Sequence, residues 1–297
     1  MAEFNPKTVG LGYVALGSTD PARAVAHYRD VLGLTETGSE GGATYLSLCG
    51  AHHDIVVTKA SEKSFVHQGY QLRADIELAA FAKELGAAGF AAQIKSDSQP
   101  GVAKLVEIDG PGGVTFQFYK EMERSLAPAT PAGIAPLRLG HVAIISPEAA
   151  KLFAFYRDVL GFHYTDDIAE LAFFLTCNRD HHVVNLVGLP DSRVHHIAFE
   201  LRDGSDQVRA ADILARNGNP TLWGPSRHGA GHNLAGYHHD PDKVMIELYT
   251  QMDVYLPALG QHEPRPWHED YPMVPKSWPL EKMSVWATEF NFNIAMG

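Results

Sequence analysis

Between Trp223 and Tyr249 the chain gathers side chains that can do chemistry. His228, Tyr237 and Glu247 fall on what reads as two strands joined by a turn. Asp240-Pro241-Asp242-Lys243 places Pro and Asp where turns favour them, and Val244-Met-Ile-Glu-Leu-Tyr249 is a short apolar strand. Glu247 is the only charge in that strand. Burying a bare carboxylate costs too much to be common, so Glu247 should face a cation or a metal. The chain also carries 16 histidines, several paired, as at His52-His53, His181-His182, His195-His196 and His238-His239. Many histidines in an acidic chain hint at metal, although most of them need have no role.

The elements that must position these residues come from an internal repeat. Leu11-Gly12-Tyr13-Val14-Ala15 matches Leu139-Gly140-His141-Val142-Ala143, and Tyr28-Arg-Asp-Val-Leu-Gly33 matches Tyr156-Arg-Asp-Val-Leu-Gly161, both at an offset of 128 residues. Cys49 and Cys177 keep that offset, and Gln117 and Glu247 lie 130 apart. Two copies of one domain follow: residues 1–125, a Pro/Ala/Gly linker at 126–137, residues 138–250, and a tail at 251–297 rich in Pro and Trp. Each copy splits again into strand, helix and three strands. Asp20-Pro21 and Ser146-Pro147 supply helix starts, with stops at Gly33 and Gly161. A second helix in the later copy spans Ser205–Asn217 and ends at Gly218. The fold class is α+β, with four βαβββ modules. The tail is expected to pack on the body and to cover a pocket or a subunit contact.

The copies differ where it matters. His141 replaces Tyr13, His196 replaces Gln68 if one residue is skipped in the strand, and Glu247 replaces Gln117. Two histidines and one carboxylate are the set that forms a facial triad on non-haem Fe(II), and the same set accepts Mn(II) or Zn(II). Three coincident replacements on strands of one copy outweigh the reading of unrelated drift.

These features resemble the type I extradiol ring-cleaving dioxygenases of the vicinal oxygen chelate superfamily. The resemblance spans about residues 8–250 and is strongest in the second copy. It rests on Gly140-His-Val142, Phe155-Tyr-Arg-Asp-Val-Leu-Gly161, Phe174 through His182, Arg193-Val-His-His196, Arg227-His228, and Tyr237 through Glu247. It implies His141, His196 and Glu247 as ligands of Fe(II), or of Mn(II) in its place. It implies a catecholic substrate and O2 as partners. His182 would be the acid or base, with His181 as the alternative, and histidine suits that work because its pKa lies near neutrality. His228 and Tyr237 would hydrogen-bond the substrate oxygens. His195 is expected on the opposite face of its strand from His196, either lining the substrate side or as plain support, and His232, His238 and His239 in turns or at the surface. Where some relatives carry an Asn-Asp pair, this chain has Ala230 and Gly231, which removes polar contacts there.

Composition limits the other classes. A net charge of −11 argues against nucleic acid or an anionic membrane as partner. No apolar run is long enough to span a bilayer, the N-terminus lacks a signal peptide's pattern, and two cysteines make no disulfide framework, so a cytoplasmic protein is expected; the family resemblance implies a homo-oligomer. Two other readings stay open: a glyoxalase- or epimerase-type metal enzyme of the same superfamily, and a binding protein for a small aromatic compound. The intact triad in one copy counts against both.

Overall fold

A computed structural model describes residues 4–48, 50–125, 132–290 and 294. Cys49 and the first part of the expected linker lie outside the described residues. By internal contacts the chain divides into two compact units. One comprises Lys7–Leu139 with the turn Asp240–Lys243; the other comprises Gly140–His239 and the chain from Val244 onward, with the N-terminal residues.

Each unit is built from two strand–helix–strand–strand–strand modules. In the first unit these are β1 (Thr8–Ser18), α1 (Pro21–Ala26), β2 (Thr35–Glu40), β3 (Ala43–Ser47) and β4 (Ile55–Lys59), then β5 (Ser64–Leu72), α2 (Leu78–Ala87), β6 (Gln93–Gln99), β7 (Val102–Asp109) and β8 (Thr115–Tyr119). In the second they are β9 (Arg138–Ile145), α3 (Ala149–Ala154), β10 (His163–Ile168), β11 (Ala172–Thr176) and β12 (Val184–Val187), then β13 (Arg193–Glu200), α4 (Gly204–Arg216), β14 (Trp223–Arg227), β15 (Leu234–His239) and β16 (Met245–Thr250). The fold is α+β. The expected helix signals hold: Asp20 accepts from the Arg23 amide at 3.2 Å, and Gly33 and Gly161 take positive φ of 87° and 74° after the helices, a backbone region open to glycine without cost. The expected start at Ser146-Pro147 falls early: Glu148 is the N-cap of α3, and Ser146 accepts from the Glu148 amide at 3.0 Å in the turn before it, while α4 starts one residue before the expected Ser205.

The second unit's sheet runs in the order β14-β15-β16-β13-β9-β12-β11-β10, and a tail strand, β17 (Lys276–Trp278), adds to β10 in parallel. Its central strands β9, β12, β13 and β16 are buried along nearly their whole lengths. That is why their sequences read as continuous apolar runs, and why the few polar side chains on them need an explanation. Asp240–Lys243 is the turn expected between β15 and β16, closed by the Lys243 amide on the Asp240 carbonyl at 3.1 Å. No helix among the described residues is long and apolar enough to cross a membrane.

Strand pairing corrects one alignment of the copies. Ala198 stands opposite Glu247 in the second unit and Gly69 opposite Gln117 in the first. The counterpart of His196, two residues before Ala198, is therefore His67 rather than Gln68. The first unit keeps one histidine of the three positions.

Candidate metal centre and cavity

Six sequence-predicted residues come together across six adjacent strands. Reading across the sheet, His228 follows β14, Tyr237 lies on β15, Glu247 on β16, His196 on β13 and His141 on β9, and His182 precedes β12. Three of their atoms converge: His141 Nε2 lies 3.2 Å from His196 Nε2 and 3.2 Å from Glu247 Oε2, and His196 Nε2 lies 3.1 Å from the same oxygen. All three residues are buried, Glu247 to 1% exposure.

The hydrogen bonds behind this cluster decide where the protons sit. His195 Nε2 is 3.1 Å from the Ile294 carbonyl, and a carbonyl only accepts, so that nitrogen carries hydrogen. The Nδ1 of neutral His195 is then an acceptor, and it meets His196 Nδ1 at 2.7 Å. His196 thus donates from Nδ1 and aims a bare Nε2 at the Glu247 carboxylate. Two lone-pair atoms 3.1 Å apart, both out of water, are reconciled by a cation between them. The spacing suits a metal: with bonds of about 2.1 Å, three facial ligands at right angles stand about 3 Å apart. The nitrogen and oxygen donors suit Fe(II), Mn(II) or Zn(II) alike. His141 Nδ1 has no hydrogen-bond partner among the described residues.

Burial would push the Glu247 carboxyl up, but an N–H or positive charge on the facing His141 and His196 nitrogens outweighs it and holds the carboxyl well below its usual range, the part a cation takes where those nitrogens are bare. Burial pushes His141 and His228 down, and His182 well down, so these rings stay neutral. Neutral imidazole is the form that can ligate a metal or accept a proton.

Around the cluster, Tyr237 donates to Glu247 Oε2 at 2.9 Å and lies 3.0 Å from His228 Nε2. The Met283 carbonyl, 3.2 Å from His228 Nδ1, selects the tautomer that leaves Nε2 as acceptor. The tyrosine hydroxyl therefore has two acceptors for one proton. Trp223 stacks on His228 with ring centres 4.8 Å apart. The His182 ring lies 4.2 Å from that of His141.

Sequence reasoning missed Asn233, whose Nδ2 donates to Glu247 Oε1 at 2.6 Å. It restores a polar contact expected to be lost with Ala230 and Gly231. His195 lines the cavity together with His196, one of the two places left open for it. His232 and His238 are buried rather than at the surface, and His232 Nδ1 bonds Asp253 at 2.8 Å.

A cavity of about 250 Å³ opens beside the cluster. His182, His195, His196, His228, Asn233, Tyr237 and Glu247 form its polar end. Ile168, Leu171, Phe174, Val187 and Leu189 form an apolar wall, and Leu280, Met283 and Phe290 of the tail cover it. Two further His/Asp clusters, Asp166-His181-His262 and His232-Asp253-His268, lie buried nearby. Their carboxylates already accept from N–H groups on both oxygens, so both are hydrogen-bonded networks.

The model of the Glyoxalase/Bleomycin resistance protein/Dioxygenase superfamily matches residues 138–248. The manganese-dependent 2,3-dihydroxybiphenyl 1,2-dioxygenase of Geobacillus genomosp. 3 is 26% identical over 283 residues, covering 87% of this chain and 89% of the relative. The metapyrocatechase of Pseudomonas sp. (strain CF600) is 26% identical over 277 residues, covering 86% of this chain and 89% of its own. Among solved structures, the Mn(II)-bound glyoxalase from Novosphingobium aromaticivorans superposes with a TM-score of 0.82 at 23% identity, covering 95% of this chain and 91% of that one.

Proposed function

We propose that this homologue of the extradiol ring-cleaving dioxygenases is itself one, an oxidoreductase that opens a catecholic ring beside its diol with both atoms of O2. The observation that carries the reading is the buried convergence of His141 Nε2, His196 Nε2 and Glu247 Oε2 at the polar end of a cavity. These three would hold the metal, Fe(II) or Mn(II). Bound there, it would act as a Lewis acid that lowers the pKa of a diol hydroxyl and gathers diol and oxygen at one point. On this reading residues 138–250 are the catalytic domain, with the tail as part of its site, and residues 1–125 are a domain without a metal centre. The protein works as a cytoplasmic homo-oligomer.

The chain's own side chains supply the rest. His182 uses Nδ1 on His181, at 3.0 Å, which leaves Nε2 to take a proton from the substrate and return it. His228 Nε2 and the Tyr237 hydroxyl stand together beside Glu247, where they can hold a substrate oxygen and steady charge as it forms. The apolar walls and the tail keep bulk water from the polar end. No Lys or Arg is among the described residues that line the cavity, and its apolar wall favours a catechol whose ring substituent is apolar rather than a carboxylate.

The test pairs metal content with oxygen uptake on a panel of catechols, for wild type and His196→Ala. Near-stoichiometric metal and a yellow ring-opened product in wild type, both lost in the variant, are expected. Apolar-substituted catechols should outrun carboxylate-bearing ones. Bound metal without oxygen uptake on any diol would favour the glyoxalase-type reading, to which the manganese-bound structural relative lends support.

A further inference from the structure

We propose that Asp166 and His181 are positioning residues that fix the tautomer of His182, a role that rests on the ring-cleaving reading of the same site. His181 Nε2 lies 3.0 Å from Asp166 Oδ2, and its Nδ1 lies 3.0 Å from His182 Nδ1. A carboxylate oxygen only accepts, so with one proton on its ring His181 carries it on Nε2 and presents a bare Nδ1. His182 must then donate from Nδ1, and its lone pair sits on Nε2. The other tautomer of His181 would set a lone pair against the carboxylate.

The carboxylate is itself held. Asp166 Oδ1 accepts from the Lys276 amide at 2.9 Å, and Oδ2 accepts from Trp278 Nε1 at 2.7 Å. Both donors belong to β17, so the tail sets the far end of the chain of bonds. Space is reserved for it as well. A Cβ built on Gly231 would come within 3.0 Å of His181 Nδ1.

The first unit shows that the anchor is separable from the pair. There His52 Nδ1 and His53 Nδ1 meet at 2.9 Å in the same way. Strand pairing sets Asp166 opposite Phe174 and Gly38 opposite Tyr45, each after a bulge. Glycine therefore stands where the second unit has Asp166. The histidine pair occurs in both copies, and the carboxylate behind it only in the copy that has the triad.

The decisive comparison is His181→Asn against His181→Leu. An asparagine carbonyl oxygen can stand near the place of Nδ1 and accept from His182, whereas leucine cannot. His181→Leu should lower kcat about 10–100-fold, the range for groups that orient a functional side chain, with KM and metal content nearly unchanged. His181→Asn should recover most of that loss, and Asp166→Ala should resemble the leucine variant. Equal losses in the Asn and Leu variants would overturn the proposal, whether or not Asp166→Ala folds. A second readout does not depend on turnover. In the full-length protein carrying Zn(II), 15N NMR should find His182 protonated on Nδ1, with that preference weakened in His181→Leu. A wild-type His182 protonated on Nε2 alone would also overturn it. If wild type cleaves no catechol while the Nδ1 proton is present, the ring-cleaving reading fails and the tautomer control stands.

Discussion

At the place of His141 the first unit has Tyr13, whose hydroxyl donates to Gln117 Oε1 at 2.6 Å. Gln117 in turn donates to Glu107 Oε2 at 2.8 Å, and Lys95 pairs with Glu107. Glu107 is the counterpart of Tyr237, since each stands opposite the Gln117 or Glu247 position in its hairpin. At the Tyr13 and Gln117 positions the first unit thus satisfies its polar groups with one another, while His67 Nε2 has no hydrogen-bond partner among the described residues. The second turns two imidazole nitrogens and a carboxylate oxygen toward a common point, and the bare His196 Nε2 against Glu247 Oε2 leaves the balance to a cation. Both are built on equivalent strands, so the proposed need for a metal comes from a few side chains and not from the fold.

The largest effect should follow from giving the second unit the first unit's residue. Glu247→Gln removes the charge that demands a cation, and we expect metal content to fall to near zero and oxygen uptake by about a thousandfold or more, the scale of several kcal/mol of Lewis-acid assistance. Plasma emission spectrometry and an oxygen electrode check both. Retained stoichiometric metal would break the comparison.

Asn233→Ala is next. It strips the donor from Glu247 Oε1 and should weaken metal affinity about 10–100-fold, read by competition with a chelator.

A matched pair of glycines sharpens the contrast. Cβ atoms at Gly12 and Gly140 would collide with the hydroxyls of Tyr119 and Tyr249 respectively. Gly12→Ala and Gly140→Ala should each cost about 1–3 kcal/mol of stability in denaturant melts. Only Gly140→Ala should also depress turnover, because Tyr249 packs 5.1 Å from the His141 ring.

The smallest effect concerns Asp54, whose counterpart is Val183: each amide bonds the carbonyl of Leu46 or Leu175, and each carbonyl accepts from Val14 or Val142. Burial pushes the Asp54 carboxyl up to about 7, against the hydrogen bond from the Leu48 amide. An unfolded Asp titrates near ~3.9, so the folded chain holds the extra proton between these values. The stability that Asp54 contributes is therefore full below about pH 4 and falls as pH rises to about 7. The stability difference between wild type and Asp54→Asn should shrink or reverse over that window and be flat above it.

Much of this was legible in the sequence. The 128-residue repeat, the helix start at Asp20, and the positions of His141, His196 and Glu247 are carried by residue identity, and strand order then brings His228, Tyr237, Glu247, His196, His141 and His182 side by side. What was not legible has a common cause. Pairing His196 with Gln68 failed because register is set by hydrogen bonds between strands, and bulges hide it from residue counting. The controls on His228 and His195 come from the carbonyls of Met283 and Ile294. Every residue has a carbonyl, so no letter of the sequence marks these two. His195 was assigned to the far face by alternation, yet its Nδ1 meets that of His196 at 2.7 Å, so strict alternation does not hold at that point of β13.

The anchoring of Asp166, His228 and His195 by residues 276–294 also has a consequence for biosynthesis. Chains emerge N-terminus first and their domains fold in that order. His141, His196 and Glu247 are thus made well before the segment that sets the protons around them. A growing chain would hold these donor atoms without Met283 or Ile294 in place, so the proposed site is completed only once residues 276–294 have been made. Ribosome-bound intermediates and chains cut short before residue 276 would be inert, however well their sheets had formed.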